Sequence, residues 1–147
     1  MKNILSYLTL LLLSVMVIPA ISPAQTNFQR QYGTAFDNTF SKVVRHGTNY
    51  YVLGSDQPSA GVTARAAVSY VNSLGQLQWT RSLNIASAWN DAVLTPNGSL
   101  MLVGNTLPSD ATNQSLMGLI TPAGTFSWIR SYNVTGREGF QKVVLNP

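Results

Sequence analysis

Gly75-Gln-Leu-Gln-Trp79-Thr-Arg-Ser-Leu83 decides how this chain is read, because the chain repeats it as Gly124-Thr-Phe-Ser-Trp128-Ile-Arg-Ser-Tyr132. A shorter echo, Phe28-Gln-Arg-Gln-Tyr32, stands earlier. Phe28, Trp79 and Trp128, which open the shared five residues, lie 51 and 49 residues apart. Within the stretch, Leu77, Trp79, Arg81 and Leu83 alternate with Gln76, Gln78, Thr80 and Ser82. Period-two alternation puts the first set on one face of a strand and the second on the other. Phe126, Trp128, Arg130 and Tyr132 fall on the corresponding face of the next copy. Self-similarity at about 50 residues marks a repeat architecture.

The echo widens in both directions. Asn49-Tyr-Tyr-Val-Leu-Gly54 returns as Ser99-Leu-Met-Leu-Val-Gly104, and Phe40-Ser-Lys-Val-Val44 as Phe140-Gln-Lys-Val-Val144, with Trp89-Asn-Asp-Ala-Val93 between them. Each period predicts four short strands. In the first these are Phe40 to Arg45, Asn49 to Ser55, Ala66 to Val71 and Gln76 to Leu83. In the second they are Trp89 to Thr95, Ser99 to Gly104, Ser115 to Thr121 and Thr125 to Tyr132. Gly- and Asn-containing turns punctuate them, since these residues reach positive φ cheaply. No amphipathic helix of useful length is predicted after residue 24.

Four antiparallel strands per period is the unit of a β-propeller. The fold expected is therefore all-β: antiparallel four-stranded propeller-like blades, about two complete with flanking strands, an incomplete propeller. Residues 28–78 and 79–127 are the repeats, and 128–147 a partial third. The longer polar connections, Asp56 to Arg65, Asn105 to Gln114 and Asn133 to Gly139, gather on one side, which makes that side the expected surface for a protein or glycan partner.

Residues 1–24 read as a secretory signal peptide. Lys2 supplies the basic start, Ile4 to Ile18 is an uncharged run of 15 residues, and Ser22-Pro-Ala24 is the small-residue cleavage site before Gln25. The run falls short of the ~20 residues that span a bilayer. Export to the extracellular space, cell surface or periplasm follows, with no membrane attachment after cleavage. Residues 25–147 form the repeat region. The chain has no cysteine, which excludes disulfides and thiolate metal sites. Its basic residues are scattered singly rather than in a stripe, which argues against nucleic acid.

The recurring aromatic-x-Arg fourth strand, the aromatic-x-Lys-Val-Val first strand and the Gly-ended second strand resemble the secreted bacterial β-propeller repeats of large exported and surface proteins. That resemblance covers nearly the whole chain after residue 24 and implies a fold, not an activity. Many such proteins leave by the type IX route with a C-terminal sorting domain, which this sequence does not contain. Leu145-Asn-Pro147 aligns with Leu94-Thr-Pro96, just before a hairpin turn. The chain accordingly reads as a fragment, or as a short protein that completes its sheet by self-association through exposed edges.

No residue is assigned a catalytic, cofactor-binding or metal-binding role. His46, the single histidine, has no partner set for a triad or zinc site and reads as an exposed turn residue. Asp37, Asp91 and Glu138 fall near one phase, where a carboxylate accepts backbone N–H groups. Arg30, Arg81 and Arg130 recur in phase, as expected of guanidinium groups that stack on aromatics or cap carbonyls of the next repeat with their stems buried. Asn97, Asn113 and Asn133 sit in glycosylation-type sequons that an Asn/Ser/Thr-rich chain produces by chance. The function expected is a non-enzymatic scaffold or binding module. The alternative is the N-terminal part of a secreted propeller enzyme, glycan-active for example, with its site in further blades. An outer-membrane barrel is disfavoured, since its strands need ~9–11 residues.

Overall fold

The computed structural model describes residues 38–106, 114–133 and 139–146. Residues 1–24, read above as a signal peptide, Phe28 to Tyr32, Asp37, Asn113, Glu138 and most of the loops after Asn105 and Asn133 lie outside the described residues. Seven strands follow in chain order: β1 (Asn38–His46), β2 (Asn49–Asp56), β3 (Arg65–Val71), β4 (Leu77–Leu94), β5 (Leu100–Thr106), β6 (Ser115–Ile120) and β7 (Phe126–Tyr132). Each pairs antiparallel with its neighbours in the order β1-β2-β3-β4-β5-β6-β7. There is no helix among the described residues.

The 18-residue β4 joins what the sequence predicts as two strands. Its first part, to Ala86, pairs with β3, and its second part, from Ser87, pairs with β5. Two four-stranded meanders result, sharing β4 and packed face to face. Ser87 fixes the crossing: its hydroxyl accepts the Ala66 N–H (3.1 Å) and donates to Ile85 O (2.8 Å), while its own N–H reaches Ala64 O (3.1 Å).

The two meanders match in their irregularities. Register shifts fall between Phe40 and Lys42 in the first and between Trp89 and Asp91 in the second. A second pair of shifts falls at Tyr70/Val71 and at Leu119/Ile120. An inserted residue at a bulge reverses the alternation beyond it. Trp79 therefore stands opposite Tyr70 while Leu77 stands opposite Val71, on the other face. Phe126 is likewise separated from Trp128. Strict alternation placed these residues on one face, and the bulge overturns that.

Gly54 and Gly104 occupy one phase and have one reason. A Cβ on either would run into a backbone carbonyl across the bulge, that of Thr39 or that of Ala88. Only glycine lets the strands approach this closely.

The core lies between the meanders. Tyr51, Leu53, Ala66, Val68 and Leu83 come from the first, and Trp89, Ala92, Leu100, Leu102, Leu116 and Ile120 from the second. Val44, Tyr70, Trp79, Leu94 and Phe126 pack around them. Each large apolar side chain so buried contributes on the order of 1.5–3 kcal/mol, which neither sheet gains alone.

Candidate functional site

The chemistry-bearing side chains concentrate where the first meander meets the second. Trp79 stacks on Tyr70 (centroids 5.5 Å apart, planes at 18°) and donates its indole N–H to Pro122 O at 3.2 Å. Arg81 lies over the Trp79 ring at 5.9 Å and donates Nε–H to Gly124 O at 2.8 Å. Tyr51 donates its hydroxyl to Gly98 O at 3.1 Å. Aromatic and guanidinium groups of one meander thus cap the turn carbonyls of the next. Burial, with the Tyr70 hydroxyl second, pushes the Tyr51 phenol up to about 12.

Arg81 both stacks and caps, as the repeat predicts, although its side chain is exposed rather than buried along its stem. Arg130 repeats the stacking, 5.7 Å from Trp128. Arg30 lies outside the described residues.

Asp91 pairs with Lys42 across the two meanders. Its other oxygen accepts the Val143 N–H at 2.9 Å. Burial acts to raise the Asp91 carboxyl, but the Lys42 bond and the Val143 and Ala92 N–H groups outweigh it and hold it below its ordinary value. The expected backbone bond is present; the lysine partner was not foreseen. Lys42, Asp91 and Lys142 share one phase of the repeat, and that alternation of charge was the available signal.

Residues 139–146 form no assigned strand, in contrast to the first strand expected at Phe140 to Leu145. They lie against the second meander through Val143, through Asn90 Nδ2 to Phe140 O (2.9 Å), and through the Tyr132–Phe140 ring contact.

His46 is not an exposed turn residue. It ends β1, half-buried, with Nδ1 2.9 Å from the Tyr70 hydroxyl and its ring stacked on Tyr51. Asn49 donates to the same hydroxyl at 3.0 Å. This cluster braces the core edge and brings no carboxylate to the imidazole. Among the described residues no three His, Cys, Asp or Glu side chains gather at metal-binding distance.

The outer face of the first meander carries an open cleft of about 260 Å³. Phe40, Val52 and Leu77 form its apolar wall, and Thr39, Ser69 and Thr80 add hydroxyls. Two hydroxyl pairs, Thr39–Ser55 (2.7 Å) and Ser69–Thr80 (2.8 Å), cross the strands here. Asp56 Oδ1, also at the cleft, has no hydrogen-bond partner among the described residues. Phe40 is 55% exposed and Leu77 50%. Their repeat equivalents, Trp89 and Phe126, are packed into the core.

No known protein family matches this chain, and no curated protein resembles it.

Proposed function

We propose that this chain is an exported, non-enzymatic repeat module of the β-propeller kind, working as a scaffold or binding surface. One observation carries the reading. The two meanders agree in strand order, bulge phase, glycine phase and turn form, and one caps the other with the very residues that recur in sequence. Units that stack through nearest-neighbour faces are the construction of repeat proteins. The leader-like residues 1–24 support export. The loop between β2 and β3, Gln57 to Ala64, has an internal turn from Val62 N to Ser59 O (3.2 Å) and belongs to the side read as partner-facing.

Two measurements test this. Residues 1–30 fused to alkaline phosphatase lacking its own leader should give periplasmic activity in a bacterial host; a fusion that stays in the cytoplasm and inactive contradicts export. The purified exported protein should then bind members of a polysaccharide array. Replacement of 57–64 by a Gly/Ser loop should abolish that binding without shifting the unfolding midpoint. Turnover of any array glycan would contradict the non-enzymatic part.

A further inference from the structure

We propose that the free edge of β7 pairs antiparallel with β7 of a second copy of this chain, about a two-fold axis at Ile129. This goes beyond the module reading and does not rest on it. Among the described residues β7 pairs with β6 alone, so its other side carries unpaired backbone N–H and C=O groups. Such an edge is a template for one more strand. Ser127, Ile129, Arg130 and Ser131 along it are all exposed.

The edge is complementary to itself. Ser127-Trp128-Ile129-Arg130-Ser131 has the same classes of residue about its centre in both directions, apart from the Trp/Arg exchange. Set antiparallel with Ile129 opposite Ile129, each Trp128 meets Arg130 of the other copy, and each Ser127 meets Ser131. No like charges stand directly opposite, where they destabilise a ladder. Trp128 and Arg130 share the face of Leu119 and Met117, and Arg130 already lies over its own Trp128 ring at 5.7 Å. Pairing adds a second indole beside each guanidinium, a further cation–π contact.

The other face supplies apolar contact. Cross-strand pairs run Ala92–Leu102–Gly118–Ile129 in one row. Ala92 and Leu102 belong to the core, and Ile129 Cγ1 passes 3.6 Å from where a Cβ of Gly118 would stand. The core row therefore runs out to the sheet edge and ends on an isoleucine that is 40% exposed. A second copy continues the row with its own Ile129 and Gly118, and each Ile129 gains an apolar neighbour.

The matching edge of the first meander is the first part of β4, which pairs only with β3 among the described residues. Its equivalent stretch is Gln78-Trp79-Thr80-Arg81-Ser82. There Trp79 and Arg81 are committed to Pro122 O and Gly124 O, and the central Thr80 spends its hydroxyl on Ser69. The edge at β1 holds Lys42 on Asp91, and Asn38 is engaged in a further interaction. Only β7 combines exposure, an apolar centre and self-complementarity. Its ladder is short, bounded by the bulge at Ser127 and by Tyr132, whose ring rests on Phe140 (5.8 Å). An isologous contact of this kind closes at two copies.

Sedimentation velocity of the purified protein between about 5 and 500 μM tests association in the range expected of a short ladder. A monomer–dimer equilibrium should appear, with nothing larger. Ile129→Lys sets two ammonium groups opposite each other and should weaken the dimer at least about tenfold. Ile129→Thr, which copies Thr80 of the first meander's edge, is the milder variant and should weaken it as well. The chain has no cysteine, so single cysteines read the register. Opposite residues of antiparallel strands have Cα atoms about 4.5–5.5 Å apart, within disulfide reach. Oxidised with copper–phenanthroline, Ile129→Cys should give linked dimers, while Ser131→Cys and Thr80→Cys should not. Circular dichroism melts check that each variant folds. Protein that stays monomeric throughout overturns the proposal. So do dimers that survive both Ile129 substitutions, dimers that link through Ser131→Cys or Thr80→Cys in place of Ile129→Cys, and assemblies that grow past two copies. None of these outcomes bears on the export and array measurements.

Discussion

The two meanders are built from the same repeat, yet equivalent positions live in different surroundings. Trp89 is 1% exposed and Phe40, in the same phase, 55%. Ala92 is buried at 1%, whereas its counterpart Val43 is 58% exposed. Trp79 caps a neighbouring turn, while Trp128 at the equivalent place caps none among the described residues. The difference teaches that equivalent residues take their surroundings from whether their face of the meander meets the core between the two units.

Substitutions in equivalent pairs test that statement. The widest gap should separate Trp89→Ala from Phe40→Ala. Removing a fully buried indole costs about 3–5 kcal/mol, while an exposed phenylalanine costs under about 1 kcal/mol. Urea midpoints of the two variants measure the gap, and equal losses would break the comparison. Gly54→Ala and Gly104→Ala should behave alike, each losing about 2–3 kcal/mol by the same unfolding measurement, because both methyls meet backbone that cannot move aside. Here similarity is the prediction, since both bulges are internal to their own meander.

Trp79→Ala should cost about 2 kcal/mol through lost stacking and the lost Pro122 bond, and Trp128→Ala under about 1 kcal/mol. Thermal melts of both variants provide the check. The sequence alone assigns these two tryptophans the same cost, and this is where its reading stops being sufficient. Strand order, turn positions and the two four-strand units were legible because alternation and glycine phase are local. The opposite faces of Leu77 and Trp79 were not, because a bulge is set by pairing with β3. Nor was the His46–Tyr70–Asn49 cluster, whose members are brought together by β1, β2 and β3 and have no repeated counterpart. The Lys42–Asp91 pair was half legible: its phase was visible, but only stacking shows that consecutive repeats meet there.

The smallest effect concerns that pair. Asp91→Asn should lose about 1–2 kcal/mol at pH 7, a figure kept low because the Lys42 end is partly exposed. The folded carboxyl titrates below its unfolded value. Its stabilisation is therefore present above the unfolded carboxylate range and lost as pH falls through the native value. Wild type and Asp91→Asn should differ in urea midpoint at pH 7 and converge at about pH 2. A gap that survives in acid would mean the ion pair is not its source.

The claim that the repeat is a stackable unit is tested most directly by lengthening the chain. A second copy of residues 78–126 inserted after Phe126 keeps every strand in phase and adds one capped contact. Urea unfolding of this protein should remain a single transition, with a higher midpoint and a steeper slope than wild type, because slope follows the surface buried. A separate second transition, or a lower midpoint, would show that the meanders do not stack through equivalent faces and would contradict the account.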